Sequence, residues 1–299
     1  MYLCGMAQIL DGKAVSSFFK QQIATEVKEM VASGHRAPHL VAILVGSDGG
    51  SKTYVGAKEK ACVEVGFAGT ILHFDESISE EELLKEVHRI NLDSSIDGLI
   101  VQLPLPKHIN ENKITQAILP EKDVDGFHDI NMGKLTKGDY SGYISATPLG
   151  ITMLLKYYHI ETSGKHAVVI GRSNIVGRPM SILLSDSSET GNATVTLCHS
   201  RTQNLKELVA QADIVIAAIG KPGFVTGDMI KPGAIVIDVG TTRIDDSSKK
   251  AGWRLAGDVD FTSSELKSSF ITPVPGGVGP MTITGLLFNT LKSRKRQIA

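Results

Sequence analysis

The chain has 299 residues, 42% hydrophobic and 21% charged, the balance of a globular protein of about two domains and not of a disordered or low-complexity chain. A formal net charge of −1 leaves no overall basic field to draw it onto nucleic acid or an anionic membrane, so its partners must be argued from sites. Cys4, Cys62 and Cys198 are too scattered for a disulfide framework or a zinc site, and no run of about 18 apolar residues is present to span a bilayer. No metal is expected, and a reducing cytoplasm is the expected compartment. The first five residues lack the features of a signal peptide and read as an upstream extension before a start at Met6.

Along the chain, short β-branched runs alternate with longer amphipathic stretches and no internal repeat appears, which predicts βα units building largely parallel sheets. In the first half strands are expected over 40–45, 70–74 and 98–103, with helices over 15–31, 51–65, 79–91 and 110–117. Ser51 is a candidate N-cap, and Tyr54 and Lys58 stand four residues apart on one helix face. A phenol and an ammonium then lie near the carboxyl end of a strand, where open α/β sheets place ligands; such a pair equally suits a half-exposed helix face. The third strand carries the polar Gln102 and is stopped by Pro104 and Pro106. A buried amide needs partners, and Lys58 across a cleft is one candidate. Residues 120–148, rich in Asp, Gly and Lys, read as loop and domain boundary. Within them Asp123 and Asp125 are either site carboxylates or turn residues that bond their own backbone, and their spacing is not that of a calcium loop.

In the second half, strands over 167–170, 194–198, 214–218 and 234–239 with helices between them predict a doubly wound nucleotide-binding unit. The first of these strands ends in Gly171-Arg172-Ser173, a glycine turn opening a helix whose free N–H groups suit a pyrophosphate. Ser173 stands where a second glycine is usual and Gly177 falls one position late, and turns of this kind also occur in proteins that bind no nucleotide. The next strand ends in Ser200 and Arg201 where NAD-binding units place an acid, which favours NADP, and Arg172 adds a second guanidinium for its 2′-phosphate. The bland alternative is that both arginines are solvated surface residues. The segment 275–280 is expected to be irregular, with a last helix from 281 returning to the first domain. The domains expected are therefore 1–147 plus 282–299, and 148–281. Lys292, Arg294, Lys295 and Arg296 read as cations complementing a helix C-terminus, not as a nucleic-acid site.

The segments 51–58, 101–106, 120–127, Gly171-Arg172-Ser173 and 273–282, in that order, resemble the bifunctional methylenetetrahydrofolate dehydrogenase/cyclohydrolase (FolD) family, and the resemblance covers nearly the whole chain. It implies a two-domain α/β fold, an N-terminal catalytic domain followed by a Rossmann-type doubly wound parallel sheet. It also implies two consecutive reactions: oxidation of 5,10-methylenetetrahydrofolate with NADP, then hydrolysis of the methenyl product to 10-formyltetrahydrofolate. By position, Lys58 would activate water and move protons, Gln102 would orient it, Tyr54 would pack on the aminobenzoyl ring and Asp125 would bond the pterin. Val101, Leu103, Pro273 and Gly277 would line the folate, while Gly171, Arg172, Ser173, Ser200, Arg201 and Thr241 would hold the cofactor. A homodimer is implied as well. Ala146 stands where many members have a cysteine, so a thiol near the nicotinamide is absent. A lysine acts as a base near neutral pH only if burial or a nearby cation lowers its pKa, and the neutral Gln102 adds no charge that would raise it. The alternatives are an active dehydrogenase alone, a nucleotide-sensing module, and a shikimate-type dehydrogenase.

Overall fold

The structure, a computed structural model, describes residues 6–46, 49–249 and 251–298, without the side chains of 49–53. Cys4 and the extension expected before Met6 lie outside the described residues. In chain order the first elements are β1 (Gln8–Ile9), α1 (Gly12–Ala32), β2 (His39–Val45), α2 (Gly49–Val65), β3 (Ala68–Phe74), α3 (Glu80–Leu92) and β4 (Gly98–Val101). Then come α4 (Glu111–Ala117), α5 (Asp129–Thr136), α6 (Ala146–Tyr157), β5 (His166–Ile170), α7 (Gly177–Ser185), β6 (Thr194–Cys198), α8 (Leu205–Val209) and β7 (Ile214–Ala217). The last are β8 (Ala234–Asp238), β9 (Thr242–Asp245), β10 (Trp253–Ala256), α9 (Phe261–Glu265), β11 (Ser268–Ile271) and α10 (Val278–Ile298). Contacts divide the chain into an N-terminal unit, residues 17–146 with 283–298, and a C-terminal unit, residues 147–282 with 6–16.

The N-terminal unit is organised by β2. Its side chains Leu40, Ala42 and Leu44 join Ile23 and Val27 of α1, Val55 and Cys62 of α2, and Leu286, Leu287 and Leu291 of α10. The alternate side chains Val41, Ile43 and Val45 join Leu83, Val87 and Ile90 of α3 and Ile114 of α4. Period-two alternation with both sets apolar is what a parallel strand covered on two faces requires. β3 and β4 flank it in parallel, with Leu40 opposite both Gly69 and Gly98. α3 begins at a reciprocal cap: Ser79 Oγ accepts from the Glu82 N–H, and the Glu82 carboxylate accepts from the Ser79 N–H.

Three expectations are corrected here. Residues 120–148 are not loop throughout, since α5 lies within them and α6 starts at Ala146. His128 starts α5 by accepting the Ile130 N–H on Nδ1, and Asn131 and Leu135 are buried, a helix too short and polar to show as periodicity. The segment 275–280 is not wholly irregular, because α10 already begins at Val278. Pro280 is tolerated in the first turn, where an N–H has no helical acceptor to lose. Ser51 lies inside α2 and does not precede it, so it is not the N-cap.

The last helix belongs to the N-terminal unit over 283–298. Asn289 donates to the carbonyls of Val124 and Ile144, and Ser293 Oγ donates to those of Asp97 and Glu121. At roughly 1.5–3 kcal/mol for each fully buried leucine, the three from α10 contribute an amount comparable with the net stability of a domain. Its terminal cations are all engaged. Lys292 donates to the carbonyls of Tyr140 and Gly142, Arg294 to that of Arg36, Lys295 pairs with Glu26, and Arg296 lies 4.9 Å from the Tyr143 ring centroid.

The C-terminal unit is a six-stranded parallel sheet in the order β1-β11-β8-β7-β5-β6, with β9 and β10 forming a separate antiparallel pair. The chain leaves β5 for β6 on one side and returns to β7 on the other, so the strand order reverses at β5 and leaves a crevice at the carboxyl ends. Residues near the N-terminus, grouped by sequence with the first half, contribute β1 to this sheet's edge, where Gln8 and Ile9 face Phe270 and Ile271. Among the described residues no helix is long and apolar enough to cross a membrane.

Asp97 ties this architecture together near the start of β4. Fully buried, it accepts from Arg36 at 2.6 and 2.9 Å and from the His39 N–H at 2.7 Å. Asp97→Ala leaves the His39 N–H without its acceptor and takes the carboxylate from Arg36, whose guanidinium keeps the Ala37 and Ser94 carbonyls, and a loss of about 3 kcal/mol is expected in urea unfolding of the whole chain. A loss below about 1 kcal/mol would show that the pair behaves as an exposed surface bridge.

Candidate active site

Lys58 lies in α2, the helix that follows β2, and is only 8% exposed. Its Nζ donates to Gln102 Oε1 at 3.1 Å. Gln102 is not inside the strand as expected but one residue beyond β4, while its own N–H still donates to the Ile43 carbonyl at 2.9 Å. Its Nε2 donates to the Leu103 carbonyl at 2.8 Å, which leaves Oε1 for the lysine. The sheet pairing thus fixes the amide, and the amide fixes the amine. Val101 is buried at the end of β4, Leu103 is partly buried beyond it, and Tyr54, one turn before Lys58, is partly buried.

The two loop carboxylates differ in role. Asp123 is the turn residue, accepting from the N–H groups of Phe127 and His128 and from Asn131 Nδ2. Burial pushes its carboxyl up to about 7 against the pull of those donors. A bridge from Leu99 to Asp123 lays this loop alongside β4, and Asp125 follows two residues on. Burial lowers the Lys58 ammonium and raises the Asp125 carboxyl, and the charge of each partly opposes the effect of burial on the other. The set offers an amine made less basic by burial, held by a neutral acceptor, with one carboxylate in electrostatic reach.

In the C-terminal unit the glycine turn has its own geometry. Gly171 has φ +123°, and a Cβ there would lie 2.1 Å from the Ala218 carbonyl oxygen; at Gly177 a Cβ would lie 1.9 Å from the Gly171 oxygen. No side chain fits at either position. Ser173 turns the chain into α7, its Oγ accepting the Val176 N–H and its carbonyl the Arg178 N–H, and Val176 leaves the helix start without a side-chain cap.

Beside this turn lies a cavity of about 230 Å³ lined by Ile170, Arg172, His199, Ser200, Leu205, Ile219, Lys221 and Phe224. It brings Arg172 and Ser200 together. Arg201 is not in its lining, and its N–H donates to His199 Nδ1 at 3.2 Å. Thr241 is exposed just beyond β8. Pro273 and Gly277 also belong to this unit, where the Gly277 N–H donates to the Pro273 carbonyl at 2.8 Å. Sequence reasoning missed the lining residue Lys221, whose only mark was its place after Gly220 in the loop that follows the strand expected over 214–218. With a glycine cradle, cationic side chains and no carboxylate in its lining, the cavity suits the phosphate-bearing end of a nucleotide.

A buried amine–amide–carboxylate set in one unit and a doubly wound sheet with a nucleotide cradle in the other define a two-domain α/β enzyme that uses a dinucleotide. Residues 10–125 match the catalytic-domain model of tetrahydrofolate dehydrogenase/cyclohydrolase, and residues 145–298 match its NAD(P)-binding domain. The chain belongs to this family of bifunctional methylenetetrahydrofolate dehydrogenase/cyclohydrolases. It is 57% identical to the bifunctional protein FolD of Porphyromonas gingivalis over 96% of this chain and 97% of that protein. The solved FolD of Campylobacter jejuni is similar at a TM-score of 0.91 and 46% identity, covering 97% of this chain and 99% of that one. The FolD of Trypanosoma brucei, solved with NADP cofactor and inhibitor, is similar at a TM-score of 0.93 and 38% identity, covering 98% and 99%.

The electrostatics of the first site can be read directly. In an NMR titration with isotope-labelled lysine, the Lys58 ε-carbon is expected to titrate below the ordinary lysine value of about 10.4. Asp125→Asn removes the charge that raises it, so the midpoint falls further. An equal or higher midpoint in the variant would show that Asp125 does not act on the amine.

Proposed function

We propose that this chain oxidises 5,10-methylenetetrahydrofolate to the methenyl form with NADP and then hydrolyses that cation to 10-formyltetrahydrofolate, using Lys58 in proton transfer. The observation that carries the reading is the contact from Lys58 to Gln102: a buried amine held at 3.1 Å by a neutral oxygen, within the matched catalytic domain. When bound, the dinucleotide supplies the hydride acceptor. Water bonds to the methenyl carbon and neutral Lys58 takes one of its protons; the resulting hydroxyl then gives up its other proton as its C=O forms and the carbon–N5 bond breaks, the bonding pair going to N5, so that one of the two protons ends on N5, the other is released to solvent, and the formyl group stays on N10. Gln102 orients the amine without holding it protonated. Tyr54 serves as a platform for the aminobenzoyl ring, Asp125 accepts from the pterin, and Val101 and Leu103 line the folate. Pro273 and Gly277 are assigned to folate contact on the resemblance alone.

We assign Gly171, Arg172, Ser173, Ser200, Arg201 and Thr241 to the cofactor. NADP is supported by Arg172 and Ser200 on a cavity with no acidic lining and by the NADP complex of the Trypanosoma brucei relative. The division expected from sequence, 1–147 with 282–299 as the folate domain and 148–281 as the NADP domain, is proposed with one adjustment: the described residues up to 16, whose β1 pairs with β11, go with the NADP domain. A homodimer is proposed on the resemblance, and a cytoplasmic location is proposed on the scattered cysteines of the sequence.

Mixing the protein with methylenetetrahydrofolate and either NADP⁺ or NAD⁺ and following methenyl absorbance tests the whole reading: faster turnover with NAD⁺ overturns the cofactor, and none with either removes the function. Lys58→Met is expected to slow conversion of methenyl- to 10-formyltetrahydrofolate by at least about 100-fold. Hydrolysis at the wild-type rate in that variant would refute the role of the amine.

A further inference from the structure

We propose that Lys221 is a specificity-determining residue of the cofactor site, the second cation that meets the 2′-phosphate of NADP. This rests on the NADP reading above. Arg172 follows β5, Ser200 follows β6 and Lys221 follows β7, so the loops on both sides of the reversal in strand order converge on one cavity with no acidic residue in its lining.

Lys156, Lys206 and Lys231 of this unit pair with Glu189, Asp228 and Asp213, whereas Lys165, Lys249 and Lys267, which make no ion pair among the described residues, are not in this lining. Lys221 makes no ion pair among the described residues, and its ammonium lies 5.7 Å from the centroid of the Phe224 ring. Arg172 likewise makes no ion pair among the described residues, and two cations on one cavity lining that carries no carboxylate suit an incoming anion.

The backbone that carries Lys221 is also fixed in advance. Fully buried Asp258 accepts the N–H groups of Ile219, Gly220 and Lys221 at 2.6, 3.0 and 2.7 Å. The anchor of the side chain is therefore ordered before any ligand arrives, which lowers the entropy lost on binding. Arg201, the cation expected from sequence to accompany Arg172, is absent from this lining. A dianionic phosphate ester here takes the planar fork of Arg172 and the point charge of Lys221, while Leu205 and Ile219 offer an apolar wall to the base.

The test compares 2′,5′-ADP with 5′-AMP, which differ by that one phosphate, in calorimetric binding to the whole chain. Wild type binds 2′,5′-ADP more tightly. Lys221→Gln weakens 2′,5′-ADP by roughly ten-fold and leaves 5′-AMP unchanged, as loss of one charge-assisted contact predicts. Lys221→Arg retains the preference. If wild type discriminates and Lys221→Gln discriminates equally well, or weakens both ligands alike, the role of Lys221 is overturned while the NADP reading stands. If wild type itself shows no preference, the NADP reading fails and this proposal with it.

Discussion

A lysine buried to 8% exposure must find acceptors for its protons or give one up, because an unpaired ammonium away from water is costly. In this protein Gln102 supplies an acceptor without a charge, and Asp125 supplies a charge that only partly offsets burial. A carboxylate at position 102 would satisfy the ammonium and hold it protonated; an apolar residue would leave its orientation undefined. The amide is the intermediate solution, and the rest of the N-terminal unit supports it. Gln102 keeps its place because its N–H continues the β2–β4 ladder through Ile43, and Lys58 keeps its place because α2 follows β2 and packs Val55 and Cys62 against it.

Both units apply the same device at different scales. In each, parallel strands end together and the loops that leave them carry the polar groups, while apolar faces below fix where those ends stand. In the N-terminal unit three strands suffice, and a loop outside the sheet, bridged at Leu99 and Asp123, brings in Asp125. In the C-terminal unit the reversal at β5 opens the crevice, and a single buried carboxylate, Asp258, braces one of its rims.

What was legible in the sequence follows from how local its causes are. Runs such as Val41 to Val45 are continuous and apolar, so the central strands could be read, and Tyr54 and Lys58 declared themselves by helical spacing. Gln102 stood out as a lone amide after Ile100 and Val101. β1 was not readable, because a strand of two residues exists only through pairing with a partner some 260 residues away, and four-residue β11, lodged between β1 and β8, is too short to show a period. α5 was hidden by its Asp, Asn, Gly and Lys content, and its start depends on a histidine cap. Lys221 had no pattern to betray it: it joins Arg172 only because the strand order reverses between them, a fact of topology and not of spacing.

The core of the N-terminal unit includes Leu286, Leu287 and Leu291, and Asn289 and Ser293 close hydrogen bonds there. Those residues are made only after the C-terminal sheet that separates them from the rest of their unit. Domains of a nascent chain usually fold in the order of their synthesis, but here the half that leaves the ribosome first cannot finish its interior until α10, which follows the whole C-terminal sheet in the chain, has been made. The three-stranded sheet must wait, with one apolar face incompletely covered, while the whole C-terminal sheet is synthesised behind it. A chain stopped short of α10 therefore loses more than one helix: it keeps a nearly complete C-terminal unit and leaves the N-terminal, catalytic-domain unit with an open, aggregation-prone side.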